Sequence, residues 1–330
     1  MKALTYTQYG GPDVVRITDI AKPKAKDGEV LIRVYASAVT TGDWRLRAAA
    51  FPGALAIPGR LMFGLRRPKK SQLGTVFAGT VEAIGVNTTR FYVGDRVYGM
   101  SLDGGASAEY LAFDEAGAIA KMPETLDFAE AAALPFGAVC ALVFLTDFSS
   151  LHAGQRVLVV GASGGVGTYG VQIAKAIGAH VTGVASGSNA AFVRSLGADA
   201  FVDYRVTDIA KLTDRFDIIF DTVGALSTRA ARGLLEKNGQ FLPLNFGLRE
   251  LGAALLNPLR LKKIRIAVNG DKAEDLERVN TMIKAGTLRP VIDTIYPLSE
   301  ARAAHAQVES RHARGTVVLT IPSPEPRVAA

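Results

Sequence analysis

The sequence predicts an α/β protein in two parts, a β-rich module and a doubly wound parallel sheet. Three observations carry that prediction. At 330 residues the chain exceeds what one ordinary core holds. Its first ~120 residues are short β-prone runs cut by turn signals, whereas from Pro123 onward continuous apolar strands alternate with helix-length stretches, the pattern of βαβ units. One of those strands runs directly into a glycine-rich turn that opens a helix.

Taken in order, MKALTYTQYGGPDVVRITDI alternates and reads as strand-like from its first residues, and it carries no basic-then-apolar leader, so no secretory signal is expected. VLIRVYASAV (30–39), TVFAGTVEAIG (75–85) and DRVYGM (95–100) are rich in β-branched and aromatic residues and bounded by glycine and proline signals, which makes them strands. The stretch 45–73 contains Pro52, Pro58 and Pro68 and is longer than a plain connection needs, so it reads as one or two helices plus loop. LDFAEAAALPFGAVCALVFLTDF reads as helix. Its apolar run, 131–145, is interrupted by Pro135, flanked by Glu130 and Asp147, and shorter than the ~20 residues of a membrane span, so it belongs in a core. Then come RVLVVG (strand), VGTYGVQIAKAIGA (helix), HVTGVAS (strand), AAFVRSLGA (helix), DAFVDY and DIIFDTVG (strands), TRAARGLLEKNG (helix) and QFLPLNFG (strand). From Thr287 the texture returns to β with LRPVIDTIYPL, a helix over EARAAHAQVESRHA and the strand GTVVLTI, before a frayed tail, PSPEPRVAA.

Composition narrows the function class. Hydrophobic residues make up 48% and charged residues 21%, which excludes a disordered chain. One cysteine excludes an internal disulfide and a multi-cysteine zinc site, and points to a reducing, cytoplasmic setting. The net charge of +7 would suit an anionic ligand, but the basic residues are dispersed apart from Lys22/Lys24/Lys26, Arg66/Arg67/Lys69/Lys70 and Arg260/Lys262/Lys263/Arg265, each expected to be solvated surface. The second of these clusters should border the substrate cleft. The histidines (His152, His180, His305, His312) share no ligand spacing; His305 and His312, seven apart, should mark one face of a helix.

The glycine-rich turn is Gly161-Ala162-Ser163-Gly164-Gly165-Val166-Gly167, following the apolar strand 156–160. In the register Ala162-x-Gly164-x-x-Gly167, small residues let the backbone approach a pyrophosphate, which then sits on the N–H groups of the helix that follows. In an NAD site an acidic residue ~20 positions on would hold the ribose 2′-hydroxyl. Here that strand ends Ala185-Ser186-Gly187-Ser188-Asn189, without a carboxylate. Ser186 and Ser188 leave room and donors for a 2′-phosphate, so the cofactor expected is NADP(H). Arg194 or Arg205 would supply charge, and Tyr204 would pack on the adenine or phosphate.

Along nearly its whole length the chain resembles the zinc-free quinone oxidoreductase branch of the medium-chain dehydrogenase/reductase superfamily. The matching pieces include KALTYTQYGGPDVV, GEVLIRVYASAVTTGDWRLR, GTVEAIGVNTTRFYVGDRVYG, EAAALPFGAVCAL, VLVVGASGGVGTYGVQIAKAIGA, FDTVG and RGTVVLT. The resemblance implies a Rossmann doubly wound domain (123–288) inserted in a GroES-like β-rich catalytic domain (1–122 plus 289–330). Val39, Thr75 and Val76 stand in the regions where zinc-binding relatives carry ligands, and none of them can ligate zinc through thiolate, imidazole or carboxylate. The resemblance therefore implies a metal-independent, NADPH-dependent reductase of quinones or α,β-unsaturated carbonyls, small-molecule acceptors that need no Lewis acid.

Residue by residue, the family's Asn-Pro-x-Asp element becomes Thr40-Thr41-Gly42-Asp43, which makes Thr40 and Asp43 the catalytic candidates; Asp43 also reads as the cap of a helix starting at Trp44. Phe51 replaces a tyrosine of related enoyl reductases, and Cys140 replaces a threonine that touches the nicotinamide. The loops containing Val223 and Asn245-Phe246 should hold the carboxamide, and Thr316 stands where relatives often carry a lysine. A homodimer paired through the Rossmann sheet edge would follow the family's habit; a membrane or nucleic-acid partner is not expected. A different class of function, an NADPH-sensing binding protein with little turnover and an RNA partner, is motivated by these departures and by the basic charge.

Overall fold

The computed structural model describes residues 1–53, 56–259, 261–267 and 272–322. Arg260 of the third basic cluster and most of the C-terminal tail lie outside these residues. The chain opens with an antiparallel ribbon, β1 (Lys2–Thr5) and β2 (Arg16–Asp19). There follow β3 (Glu29–Val39), α1 (Thr41–Ala48), α2 (Ala56–Phe63), β4 (Val76–Ile84), β5 (Arg96–Met100), β6 (Tyr110–Asp114) and β7 (Ile119–Lys121). Helices α3 (Phe128–Ala132) and α4 (Pro135–Val143) lead into the second sheet. The helix expected over this stretch is thus divided at Pro135, which opens α4, because the first turn of a helix has no use for the missing N–H. Next come β8 (Arg156–Val160), α5 (Gly167–Ile177), β9 (His180–Ala185), α6 (Ala190–Ser195), β10 (Ala200–Asp203), β11 (Phe216–Asp221), α7 (Thr228–Leu234), β12 (Leu235–Pro243), α8 (Leu248–Leu255), β13 (Lys263–Ile264) and α9 (Ala273–Lys284). The chain then returns through β14 (Ile292–Pro297), α10 (Ala301–Ser310) and β15 (Thr316–Thr320).

The strands β8 to β13 form one all-parallel sheet in the order β10-β9-β8-β11-β12-β13. That is the doubly wound order, with β8 central and its apolar run Val157–Val160 buried on both faces. The other sheet runs β14-β15-β3-β4-β5-β7, with β6 also on β3, so the last strands of the chain complete the sheet begun by β3. The helix expected over TRAARGLLEKNG ends at Leu234, since Leu235 pairs with Phe216 and the ladder resumes only at Gln240–Ile218. The intervening Glu236, Lys237 and Asn238 project to solvent.

His305 and His312 do not share a helix face. α10 ends at Ser310, and Arg311 takes a left-handed conformation (φ 61°) that turns His312 out to solvent. His305 is buried against α1 beside Arg47, a fully buried arginine whose Nη2 donates to Glu309 Oε2 at 2.6 Å. Burial, and secondarily the Arg47 charge, push the His305 pKa from 6.5 down to about 3. A depressed histidine stabilises the fold above its unfolded value and loses that contribution as pH falls from 6.5 toward 3. Urea unfolding of the wild-type protein should therefore show falling stability through this window, and His305→Leu should flatten the slope. Parallel slopes for the two proteins would refute the assignment.

Candidate functional site

The carboxyl ends of β8, β9 and β11 border a groove of about 900 Å³. β8 ends in the glycine-rich turn, where Gly161 N and Ala162 N both donate to Val184 O (3.0 and 2.9 Å), fastening the turn to the neighbouring strand. Ser163 and Gly164 line the groove, as do Ser186 and Ser188 beyond β9 and the exposed Tyr204 beyond β10. Asn189 Nδ2 donates to Ser186 Oγ (3.0 Å) and to Ser163 Oγ (3.3 Å), joining the two loops. Asp208 is the carboxylate in the lining, and it is engaged by Ala210 N (3.0 Å) and Lys211 (3.5 Å). The groove's cations are Arg205, Arg311 and Arg314, the last two arriving from the segment between α10 and β15.

Gly164 and Gly167 meet different demands in the turn. A Cβ on Gly164 would meet only Gly161 O, at an ordinary 3.4 Å, whereas one on Gly167 would lie 2.0 Å from the same oxygen. Gly164 leaves space over the groove; Gly167 lets α5 pack on the strand. Small residues, backbone amides at a helix start, serines in place of an acid and three arginines suit a dinucleotide with a 2′-phosphate.

Beyond Gly164 the groove continues into a cleft of about 130 Å³ between the two sheets. Gly165, Val166, Thr222, Val223 and Asn245 form one wall, and Thr40, Trp44, Arg45, Phe136, Arg311 and Thr316 the other. The walls are held in register where Gly315 N donates to Ser163 O at 3.0 Å. The hydroxyls of Tyr169 and Thr316 both donate to Ala133 O (2.9 and 3.1 Å), and Tyr169 also accepts from Val291 N (3.2 Å). Burial pushes the Tyr169 pKa up to about 12, so it stays a neutral strut. Arg45 donates to Asn245 Oδ1 across the cleft. Burial, and then the charge of Arg311, lower the pKa of Arg45.

Thr40 and Asp43 are bonded to each other but face different spaces. Thr40, not Asp43, is the N-cap, and α1 starts at Thr41 rather than Trp44; Asp43 is the third helical residue and completes a capping box. Asp43 Oδ2 accepts from Thr40 N (2.8 Å), Thr40 Oγ1 (2.7 Å) and Thr75 Oγ1 (3.1 Å). Thr40 lines the cleft, whereas Asp43 lies behind it against a second cavity of about 120 Å³ shared with Tyr6 and Gln72. Asp43 is buried and its Oδ1 has no hydrogen-bond partner. Burial raises its pKa above 3.8, against the lowering effect of the threonine bonds. A carboxyl raised in the fold stabilises below its unfolded value and loses that contribution as pH rises through the folded one. Asp43→Asn keeps an oxygen in the Oδ2 position, so its stability relative to wild type should increase from pH 4 to pH 7. An unchanged difference, measured by urea unfolding at both values, would refute the assignment.

Of the other candidates, Val223 lines both groove and cleft, Gly164 does likewise, and Asn245 lines the cleft. Ala162, Gly167 and Phe246 are buried and are not part of either lining, since their space is taken by strand, helix and loop packing. Cys140, one turn beyond Phe136 on α4, packs against the core and lines neither space, though it sits within electrostatic range of Arg45. Arg194 stacks over Phe201 (5.6 Å) and lies outside the groove lining, which leaves Arg205 as the nearer of the two proposed cations. Arg66 and Arg67 are exposed, and Lys70 pairs with Asp103 at 2.7 Å. Val39 and Val76 are buried strand residues and Thr75 serves Asp43. Among the described residues no group of three or more His, Cys, Asp or Glu could hold a metal ion. Sequence reasoning missed Trp44, Arg45, Arg311 and Arg314; the dense basic run Arg311-His312-Ala313-Arg314 before the last strand was the available signal.

Comparison with known proteins agrees with this architecture. The alcohol dehydrogenase GroES-like domain family matches residues 26–124, and the zinc-binding dehydrogenase family matches residues 196–319. The chain is 32% identical to the chloroplastic NADPH-dependent alkenal/one oxidoreductase of Arabidopsis thaliana, over 97% of this chain and 79% of that protein. It is 31% identical to the chloroplastic quinone-oxidoreductase homolog of Spinacia oleracea, over 97% and 98%. The solved quinone oxidoreductase of Coxiella burnetii superposes with a TM-score of 0.86 at 26% identity, covering 98% of this chain and 99% of that one.

Proposed function

The chain belongs to the quinone oxidoreductase branch of the medium-chain dehydrogenase/reductase superfamily, and from that premise we propose that it is an NADPH-dependent reductase of quinones or α,β-unsaturated carbonyls. The observation that carries this is the continuity of groove and cleft through Gly164: one end suits a phosphorylated ribose, and the other is a narrow space where Thr40 meets Phe136, several valines and Arg45. Bound NADPH supplies a hydride from nicotinamide C4 to the electron-poor acceptor carbon or oxygen. Arg205, Arg311 and Arg314 would hold the phosphates, and Gly164 leaves room for the pyrophosphate. Val39, Phe136, Val308 and Val317 line the cleft and keep water away from the reacting atoms. The Thr40 hydroxyl, held by Asp43, faces the place where the reduced acceptor gains its proton. Asp43 acts on the reaction through Thr40, as a positioning residue.

The test is oxidation of NADPH and NADH at 340 nm against quinones, enals and enones, with and without chelator. Chelator-resistant turnover is expected, with kcat/KM at least about 10-fold higher for NADPH, roughly 1.4 kcal/mol of discrimination. Equal use of NADH would refute the 2′-phosphate reading, and tight NADPH binding without turnover of any acceptor would restore the sensor.

Among the described residues no helix is long and apolar enough to cross a membrane. The same reading places the enzyme in the cytoplasm, as its single cysteine suggests. It also makes it a homodimer: among the described residues β13 leaves one edge of the parallel sheet open, and Leu255, Leu256 and Leu261 are exposed in the segment leading to it. Sedimentation at micromolar concentration decides between dimer and monomer.

A further inference from the structure

We infer that the acceptor reduced at this site carries a carboxylate, and that Arg45 is the residue that binds it. This rests on the reading of the cleft as the hydride-transfer site. The argument is one of charge. Arg45 and Arg311 both line the cleft, close enough for the charge of Arg311 to depress the ionisation of Arg45. Among the described residues neither arginine has a carboxylate within ion-pairing distance. Glu309, in the turn before Arg311, is committed to Arg47. A half-buried cation beside a second, exposed one repels it when no anion is present, and an anion arriving with a ligand relieves the repulsion.

The two arginines are not equivalent. Arg311 borders both the cofactor groove and the cleft, and its guanidinium lies over the Trp44 ring at 5.7 Å. Together with Arg314 and Arg205 it answers the phosphates of the dinucleotide. Arg45 borders the cleft alone. Its bond to the neutral Asn245 aims the guanidinium across the cleft without neutralising it. A planar guanidinium held this way presents its remaining N–H groups as a fork that matches a carboxylate. The acceptor class is therefore an unsaturated keto acid, or a quinone bearing a carboxylate, in preference to a neutral enal.

The test compares 4-oxo-2-pentenoate with its methyl ester as acceptors for wild-type, Arg45→Met and Arg45→Lys proteins. Calorimetric titration of the saturated acid 4-oxopentanoate into the NADP⁺-loaded proteins provides a readout independent of turnover. Wild type should prefer the acid by at least about 30-fold in kcat/KM, and Arg45→Met should bring the ratio close to one while weakening 4-oxopentanoate binding by a similar factor. Arg45→Lys should restore part of the ratio, since a point charge replaces the fork. NADPH affinity, followed by cofactor fluorescence, should be the same in all three. A wild-type ratio near one would overturn the proposal, as would an Arg45→Met protein that loses NADPH affinity instead of acid preference. Failure of wild type to oxidise NADPH with either acceptor, or with any quinone, would instead overturn the reductase reading beneath it.

Discussion

Gly164→Val is expected to weaken NADPH binding by at least about 100-fold, a loss of roughly 2.7 kcal/mol, while leaving the unfolding midpoint close to that of wild type. The separation follows from the space around the glycine. Its backbone is not in the left-handed region, and a Cβ would touch only Gly161 O at 3.4 Å, so the fold accepts a side chain there. That side chain would stand in the groove, over the turn where the pyrophosphate has to approach the backbone. Gly167→Ala is the contrasting control. Its methyl would lie 2.0 Å from Gly161 O and 2.9 Å from Ala162 Cα, so it should lower stability before it affects affinity. Fluorescence titration with NADPH and thermal unfolding, run on both variants, check the pair. Unimpaired NADPH binding by Gly164→Val would remove the cofactor assignment.

The largest loss of stability is expected from Asp221→Ala, about 3–5 kcal/mol. Asp221 is fully buried at the end of β11. Its Oδ1 accepts from Val223 N (3.1 Å), Gly224 N (2.7 Å) and Ala225 N (3.2 Å), and its Oδ2 from Leu226 N (2.9 Å). One carboxylate thus organises the loop that carries Val223 into both groove and cleft. Alanine leaves those amides, the one of buried Leu226 included, without their carboxylate acceptor, whereas Asp221→Asn retains one accepting oxygen and should recover roughly half the loss. Urea unfolding measures the difference, and a loss below about 1 kcal/mol for alanine would mean that water replaces the carboxylate without cost.

Much of this molecule is legible in the chain because the responsible physics is local. The apolar run at 157–160 has to be buried on both faces, so it reads as a central parallel strand from composition alone. The turn 161–167 is legible because backbone approach to a phosphate demands glycine at particular steps after a strand. Legibility fails where a role depends on register or on distant partners. The Thr40–Asp43 pair came from the resemblance to the family's Asn-Pro-x-Asp element, but which residue caps α1 depends on where the helix begins, and which one lines the cleft depends on how α1 lies between two cavities. Phe246 sits beside Asn245 in sequence yet is buried, because adjacent side chains leave a loop in different directions. Asp221 read as part of a cofactor loop; its hold on successive amides is visible only once the loop has curled around it.

The sequence alone therefore determined the fold class, the strand–turn–helix with the glycine pattern of a dinucleotide site, and the lack of a carboxylate after β9 that points to NADP(H). All of these are written in contiguous residues whose hydrophobicity, size and charge act on their neighbours. Only the tertiary structure decided that Arg311 and Arg314, about 150 residues from the glycine turn, complete the groove, and that Arg45 and Asn245, two hundred positions apart, meet across the cleft. The return of the last strands to the first sheet makes those contacts, and no local periodicity encodes the meeting of side chains brought together by burial of two separate cores.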